Sequence, residues 1–349
     1  MESIKRIIGR SDLKYNYVIL STDWEVYRQL YSDVIGRKDV IYVAGLQAAK
    51  RGLKKILYRA HFNKSLNRII PLPFKRIWNR SYFTDTFEEK KTVCFLLFRD
   101  WVSLDGYTGY INWLKKRYPA SRFVWFLHDM IAEHRDFYTD KILEVEQYKG
   151  KFDLVVTCNP TEALKHNLFY HSVPISKLAE DNHHSRCDVL FIGQNKGRLQ
   201  RLFHIYDAFT RKGAHCKFFI FDTSQPVLDS VREGVTFLNR PMPYRDCQEW
   251  VAGANCLLEL RYNPNAGETL RSSEALIYGK KLITDNPSLA NSTDFDSRNL
   301  RIIDSIDSVE QIDLSFLRDV LDVSSNTTDA FRRRFSPVTF LEDIDAKLG

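Results

Sequence analysis

The sequence predicts an α/β protein built from two Rossmann-like domains, and three observations support this. Its 349 residues exceed the size of one ordinary domain. Strand-like apolar runs alternate with helix-like segments, which is typical of parallel, doubly wound sheets. A polar, proline-containing stretch at 171–186 interrupts the alternation and is the expected linker. We therefore expect domains at 1–175 and 186–332, with a tail at 333–349 that packs back on the first domain.

Apolar runs of strand length, rich in β-branched and aromatic residues, mark the strands. In the first half they are residues 17–21, 39–44, 93–98, 123–127 and 154–157. In the second half they are residues 188–193, 216–221, 234–238, 255–260, 281–284 and 300–304. Helices are expected over 24–34, 46–58, 106–117 and from 161, and between most strands of the second half. Prolines forbid a continuous helix within residues 69–78.

The positive charge is concentrated in one segment. Residues 45–80 hold ten Lys or Arg and no Asp or Glu, in a chain with a formal net charge of +7. A segment whose charged residues are all positive indicates a polyanionic partner. Interleaved residues such as Ile69, Phe74 and Trp78 favour an anionic membrane surface, because apolar and cationic side chains together suit a lipid interface. The expected membrane or acceptor docking residues are Lys50, Arg51, Lys54, Lys55, Arg59, Lys75 and Arg76.

Other classes are disfavoured by composition. No apolar run approaches the roughly 20 residues of a membrane span, and the N-terminus lacks the apolar region of a secretory signal. We therefore expect a cytoplasmic protein, peripheral on the inner face of the plasma membrane. The six cysteines are widely spaced and form no C-x-x-C pair, so neither a disulfide framework nor structural zinc is indicated. We expect no metal and no cofactor, and the charge comes without the usual nucleic-acid recognition motifs.

Two loops of the second domain could carry phosphate chemistry, because ligands bind beyond the carboxyl ends of parallel strands. In the first loop a strand ends at Gly193, and Asn195, Lys196 and Arg198 fill the turn into a helix. Glycine lets main-chain N–H groups approach a phosphate, while Lys and Arg supply charge. A plain structural turn fits this loop equally well.

The second loop lies within residues 258–286, where a helix is expected to begin near 267–269 and to offer free N–H groups to a diphosphate. Arg271 lies in its first turn, and Glu274 falls on the same face one turn deeper. A carboxylate there can accept hydrogen bonds from both ribose hydroxyls of a nucleotide. The alternative is a capped helix with a surface Arg–Glu pair.

The segment TLRSSEALIYGKKLITDN at 269–286 resembles the donor-binding segment of bacterial GT-B glycosyltransferases of capsule, exopolysaccharide and lipopolysaccharide biosynthesis. Supporting segments are FDLVVTCNPTEA (152–163), DVLFIGQNKGRL (188–199) and MPYRDCQEWVAGANCLLEL (242–260), in the order and spacing of that group. The resemblance implies the GT-B fold, with a cleft between two Rossmann-like domains and a C-terminal helix folding back on the first. We expect a hexosyltransferase that needs no metal, because the D-x-D pairs at 294–296 and 343–345 lie at or after the end of the second domain and are read as surface acids.

The resemblance assigns roles along the donor side. It implies that Glu274 faces the ribose, that the loop near Tyr244 faces the base, and that the start of the helix binds the donor diphosphate. The residues at that start are Gly267, Glu268, Thr269, Leu270 and Arg271. One departure is that Ala266 replaces the first glutamate of the E-x7-E motif of the retaining group, so retention or inversion is not implied.

The expected reaction transfers a sugar from a nucleotide-diphosphate sugar, with a UDP-sugar favoured, to a lipid-linked or other membrane-associated glycan acceptor of bacterial surface polysaccharide. An inverting reaction needs a base beside the acceptor hydroxyl. Asp100, His128 and Asp129 end strands of the first domain and are the candidates, with Asp23 as a further one and a structural role open for His128. Alternatives are a UDP-sugar epimerase, a non-catalytic GT-B-fold subunit and a nucleic-acid-binding protein. Apolar surface on both domains is compatible with a homodimer.

Overall fold

The computed structural model describes residues 12–46, 52–70, 72–83, 86–136, 139–178, 187–221, 232–262, 269–319, 321 and 325–349. Two compact units make up the chain. The N-terminal unit lies within Gly9–Pro174 and also contains Ser336–Gly349, and the C-terminal unit spans Ile175–Phe335. No described helix is both long and apolar enough to cross a membrane.

Six parallel strands form the sheet of the N-terminal unit, in the order β2-β1-β3-β4-β5-β6. They are β1 (Asn16–Ser21), β2 (Val40–Ala44), β3 (Val93–Leu97), β4 (Arg122–Leu127), β5 (Leu154–Thr157) and β6 (Phe169–Tyr170). Every residue of β1 is buried, as expected for a central strand of a sheet covered on both faces. The sequence pattern predicts the first five of these strands.

Short helices connect the strands of this unit. They are α1 (Glu25–Leu30), α2 (Gly52–His61), α3 (Lys64–Ile69), α4 (Arg99–Thr108), α5 (Tyr110–Arg117), α6 (Val145–Tyr148) and α7 (Pro160–His166), with 3₁₀ turns at Lys75–Ser81, Ile131–Glu133 and Lys149–Lys151. The single helix predicted over 106–117 is wrong. Gly109 adopts a left-handed conformation with φ of 62°, so it ends α4 and starts the separate helix α5.

The C-terminal unit repeats the architecture, with sheet order β12-β11-β10-β7-β8-β9 and all neighbours parallel. Its strands are β7 (Cys187–Gln194), β8 (Cys216–Phe221), β9 (Val235–Leu238), β10 (Ala254–Glu259), β11 (Lys281–Thr284) and β12 (Leu300–Ile302). Its helices are α8 (Leu199–Arg211), α9 (Tyr244–Gly253), α10 (Leu270–Tyr278), α11 (Ile306–Glu310), α12 (Leu314–Arg318) and α13 (Ser325–Arg334), with a 3₁₀ turn at Pro287–Asn291. The predicted α/β class with two Rossmann-like sheets is confirmed.

The last helix, α14 (Pro337–Leu348), packs on the N-terminal unit. The Tyr17 hydroxyl lies 3.0 Å from the main-chain oxygen of Leu341 and 2.6 Å from Oδ1 of Asp345. Phe340 is fully buried, and its ring lies 5.0 Å from that of Phe126. The chain therefore completes the core of its first unit with its final residues.

Candidate functional site

The strand order of the C-terminal unit reverses between β7 and β10. Chain order runs outward from β7 through β8 and β9 on one side, and through β10, β11 and β12 on the other. Ligands of open parallel sheets bind at such a switch point, beyond the carboxyl ends of the strands. The loops after β7 and β10 both leave this edge, and they are the two loops that the sequence predicts as phosphate-binding.

The loop after β7 combines tight main-chain geometry with an exposed cation. Lys196 and Gly197 both have positive φ angles, of 43° and 76°, which turns the chain sharply before α8. The Lys196 side chain is exposed, and its amine lies 4.8 Å from the Tyr262 ring centroid. A Cβ on Gly193 would approach the Phe191 ring to 3.0 Å, so the close packing there favours glycine.

Asn195 adds a buried polar atom to the same loop. Its side-chain oxygen is buried and has no hydrogen-bond partner among the described residues. Buried polar atoms are rarely left unpaired in native structures, so a ligand N–H or hydroxyl is a natural partner for it.

Arg198 links the two loops rather than projecting from them. Its Nη1 donates to the main-chain oxygen of Leu260, and its Nη2 lies 2.6 Å from the oxygen of Gln194. The guanidinium therefore fixes the spacing of the loops after β7 and β10. Its predicted contact with the donor stays a prediction.

The start of α10 is fixed by its own side chains. The Thr269 hydroxyl accepts a hydrogen bond from the Arg271 amide at 3.1 Å, while Ser272 Oγ accepts one from the Thr269 amide at 3.1 Å. This capping box defines the helix N-terminus, and Leu270 is the first helical residue. The positive end of the helix dipole lies there, which favours an anion. Gly267 and Glu268 lie outside the described residues.

Glu274 stands at the centre of a buried polar cluster. Its side chain is fully buried, and its two oxygens lie 2.7 Å from the Tyr244 hydroxyl and 2.6 Å from Arg271 Nη1. Burial raises the pKa of the Glu274 carboxyl, and Arg271 and Tyr244 oppose that rise. The structure thus brings together three residues that the sequence assigns to donor binding, in contact with one another. Their contacts with a ribose and a base stay predictions.

Glu259 is a buried acid that the sequence analysis did not single out. It ends β10 with 4% of its surface exposed, and its carboxylate accepts hydrogen bonds from the hydroxyls of Thr269 and Thr284. Burial raises the pKa of the Glu259 carboxyl. The acid ties the helix cap of α10 to the ends of β10 and β11. A charged residue closing the apolar run CLLEL is the signal that could have revealed it.

In the N-terminal unit, His128 and Asp129 follow β4. Nε2 of His128 lies 3.2 Å from Oδ2 of Asp129, and the two side chains are 2% and 39% exposed. Burial alone would raise the pKa of the Asp129 carboxyl, but His128, with His134 and Arg99, lowers it from 3.8 to about 2. Asp129 therefore presents an ionised carboxylate to solvent, while His128 supports it from inside.

His134 completes this cluster and was missed by the sequence analysis. The Asp129 amide donates to Nε2 of His134 at 3.1 Å, and burial with the nearby His128 lowers the pKa of His134 to about 3. Glu162 of α7 accepts a hydrogen bond from the Ile131 amide at 2.8 Å, which holds the same loop in place. The loop after β4 is thus shaped by groups from two elements.

The three side chains also have the composition of a metal site. Ligand atoms of His128, Asp129 and His134 lie within 4.8 Å of one another. However, Nε2 of His134 is engaged by an amide, and both Nδ1 atoms are buried without a partner among the described residues. A metal-bound imidazole usually donates its second N–H to an acceptor. The cluster therefore fits a hydrogen-bonded support for Asp129 better than a metal centre.

Asp100 lies at the switch point of its own sheet, after β3. It is 9% exposed, and its Oδ1 lies 3.2 Å from Nε of Arg99. Trp101 Nε1 donates to the main-chain oxygen of Ser21 at 2.8 Å, which ties the first turn of α4 to the end of β1. Arg99 also contributes to the low pKa of Asp129.

The predicted docking residues lie on two neighbouring segments of the N-terminal unit. Lys54, Lys55 and Arg59 belong to α2, and Lys75 and Arg76 to the 3₁₀ turn at Lys75–Ser81. Lys54, Arg59 and Arg76 are exposed, and the other two are half-buried. Lys50 and Arg51 lie outside the described residues.

We predict that Asp129→Asn changes the acid stability of the N-terminal unit. Because folding lowers the Asp129 pKa from 3.8 to about 2, the stabilisation is complete above pH 3.8 and is lost as the pH falls towards 2. Melting temperatures across this range should fall more steeply for the native protein than for the variant. Replacing the exposed Glu88 with glutamine serves as the control, and parallel profiles for native protein and Asp129→Asn would contradict the prediction.

No family model and no curated protein matches the sequence. Solved structures do match the fold. An α-glucosyltransferase solved with UDP-glucose and DNA containing an abasic site is 11% identical, with a TM-score of 0.55 over 95% of this chain and 99% of that one. Anabaena HepE, solved with UDP and glucose, is 14% identical, with a TM-score of 0.53 over 95% and 99%.

A Listeria monocytogenes protein assigned as a UDP-N-acetylglucosamine 2-epimerase is 9% identical, with a TM-score of 0.50 over 95% of both chains. These likenesses extend over nearly the whole chain. Together with the two six-stranded parallel sheets, they define the class: the chain has the two-domain α/β GT-B fold.

Proposed function

We propose that this protein is a glycosyltransferase that moves a sugar from a nucleotide-diphosphate sugar, with UDP favoured, to a lipid-linked or other membrane-associated glycan. The protein would act in the synthesis of a bacterial surface polysaccharide, at the inner face of the plasma membrane. The observation that carries the proposal is the edge at the carboxyl ends of β7 and β10. There Arg198 holds two loops together. The first loop contains an exposed lysine and a buried amide oxygen that has no partner among the described residues, and the α10 N-terminus follows the second loop.

The proposed chemistry uses this edge to bind the leaving diphosphate. Lys196 and the N-terminal dipole of α10 would stabilise the negative charge that develops as the glycosidic bond breaks, a role that needs no metal. Asn195 would pair with a donor N–H or hydroxyl. In the N-terminal unit, Asp129 is the proposed base for the acceptor hydroxyl, because its carboxylate is partly exposed and is held in position by His128.

A nucleotide panel tests the donor site. UDP, GDP, CMP and dTDP are each added to the purified protein, and UDP is expected to raise its melting temperature most. Lys196→Ala should weaken UDP binding about tenfold, the effect of losing one charge-assisted hydrogen bond. The matched control is Arg211→Ala, which removes an exposed cation at the far end of α8. No shift with any nucleotide, or equal losses in both variants, would contradict the proposed site.

Turnover assays distinguish a transferase from an epimerase and from a non-catalytic subunit. A transferase should release UDP from a UDP-sugar only slowly until a glycan acceptor is added. An epimerase would convert the UDP-sugar to its epimer without an acceptor. A non-catalytic subunit would bind nucleotide and turn over nothing, with or without acceptor.

A further inference from the structure

One surface of the N-terminal unit exposes an unusual amount of apolar side chain. Eight of the twelve large exposed apolar residues among those described lie between residues 53 and 77, on α2, α3 and the segment after them. They are Leu53, Ile56, Leu57, Leu66, Ile69, Ile70, Phe74 and Ile77. A concentration of exposed apolar side chains in one segment indicates an interaction site.

The geometry of α2 shows that its exposed apolar residues form one face. Leu53, Ile56 and Leu57 are spaced three and four residues apart, and they are 78%, 64% and 56% exposed. The opposite face of the helix packs inward, where the Tyr58 ring lies 5.3 Å from that of Trp78. No residue of this helix is buried. The helix therefore turns an apolar stripe outward while an aromatic contact anchors it.

The segment that forms most of this surface carries charge of a single sign. The segment 45–80 contains no acidic residue, and Lys54 and Arg59 are exposed beside the apolar stripe of α2. The cations of such a surface attract anions, and the transfer of its apolar side chains out of water is favourable.

A cavity opens in the same surface. It has a volume of about 330 Å³, and its lining includes Phe74, Lys75, Arg76 and Tyr107. The Lys75 amine lies 5.6 Å from the Tyr107 ring centroid, while Phe74 is 77% exposed and has a φ of 62°. The cavity thus places two cations beside aromatic side chains, one of which projects outward.

We propose that this surface docks on an anionic lipid bilayer, with the cavity at Lys75 and Arg76 holding a lipid headgroup phosphate. The proposal rests on the proposed function, in which the acceptor is membrane-associated, and it names the surface that would meet the membrane. Aliphatic side chains interleaved with lysine and arginine suit the boundary between headgroups and acyl chains. Cores of protein interfaces are instead depleted of lysine, which disfavours a protein partner.

Vesicle sedimentation tests the proposal with the full chain. The protein should sediment with vesicles containing about one third phosphatidylglycerol, and much less with pure phosphatidylcholine. Lys75→Ala combined with Arg76→Ala should lower the partition coefficient about tenfold to thirtyfold, because each cation near an anionic surface contributes strongly. Ile56→Ser combined with Leu57→Ser should also lower it, since apolar burial is lost.

The matched control removes two exposed cations from α5, Lys116→Ala with Arg117→Ala, and should leave the partition within about twofold. Unchanged melting temperatures verify folding of all variants. Equal losses in the test and control pairs would overturn the proposal, since net charge alone would then account for binding. Binding of inorganic phosphate or of a second copy of the chain, without vesicle binding, would also overturn it. The UDP-induced melting shift, measured on the same preparations, reports separately on the proposed function.

Discussion

Replacing Arg271 with methionine should lower the free energy of unfolding of the C-terminal unit by about 3–5 kcal/mol, because it leaves a fully buried carboxylate without its cation. Glu274 has no exposed side-chain surface, and Arg271 Nη1 lies 2.6 Å from one of its oxygens. Tyr244 supplies the remaining hydrogen bond, but a hydroxyl does not neutralise the charge. Hydrogen exchange of amides in β7 and β10 measures the loss in this unit alone.

A double variant distinguishes the loss of the Arg271–Glu274 ion pair from the loss of packing around Arg271. Arg271→Met with Glu274→Gln removes the buried charge while retaining an oxygen for the Tyr244 hydroxyl, so it should recover most of the lost stability. The cost of the single change should also shrink at low pH, since burial raises the Glu274 pKa and protonation removes the charge. A loss below about 1 kcal/mol for Arg271→Met would show that Glu274 is already neutral or reached by water.

The same variants decide what the cluster does. If Arg271 only stabilises Glu274, the double variant should bind UDP as the native protein does. If Arg271 contacts the diphosphate or Glu274 contacts the ribose, UDP affinity should stay low in the double variant, although its stability is restored. The comparison shows whether the Arg271–Glu274 pair only stabilises the fold or also binds the donor. The spacing of the two residues in the sequence is compatible with both roles.

The strands were the most predictable part of the fold. Runs such as 93–98 and 281–284 are apolar and of strand length, and they form β3 and β11 of the two sheets. Helix boundaries were less predictable because single residues decide them. Gly109 adopts a left-handed conformation that divides the helix predicted over 106–117. The hydrophobic periodicity on either side of it does not predict that break.

The position of the candidate site was predictable, whereas its contacts were not. Loops after β7 and β10 follow from the strand order and from the glycine and proline residues within them. The bonds of Arg198 and Glu259 depend on partners 62 and 25 residues away in the chain, which no local pattern encodes. His134 was missed for a related reason, because its role depends on an amide of the folded loop.

Replacing Phe340 with alanine should cost the N-terminal unit about 3–5 kcal/mol of unfolding free energy, as expected for a large side chain removed from a packed core. Phe340 is 0% exposed on α14. Its ring centroid lies 5.0 Å from that of Phe126 and 4.7 Å from that of His171. The change leaves a cavity between the final helix and strand β4. Amide exchange in β1 and β4 should accelerate accordingly.

Phe340→Leu is the conservative control and should cost less than about 1.5 kcal/mol, because it nearly preserves the apolar volume. Alanine and leucine variants with the same small effect would show that α14 is peripheral to the core. A large loss for alanine alone would establish that α14 is an integral part of the core of the N-terminal unit. In that case the start of α4 and the loop after β4, with Asp100 and Asp129, depend on this helix for their support. Under the proposed function, the alanine variant should lose sugar transfer at temperatures where the proposed UDP binding by the C-terminal unit persists.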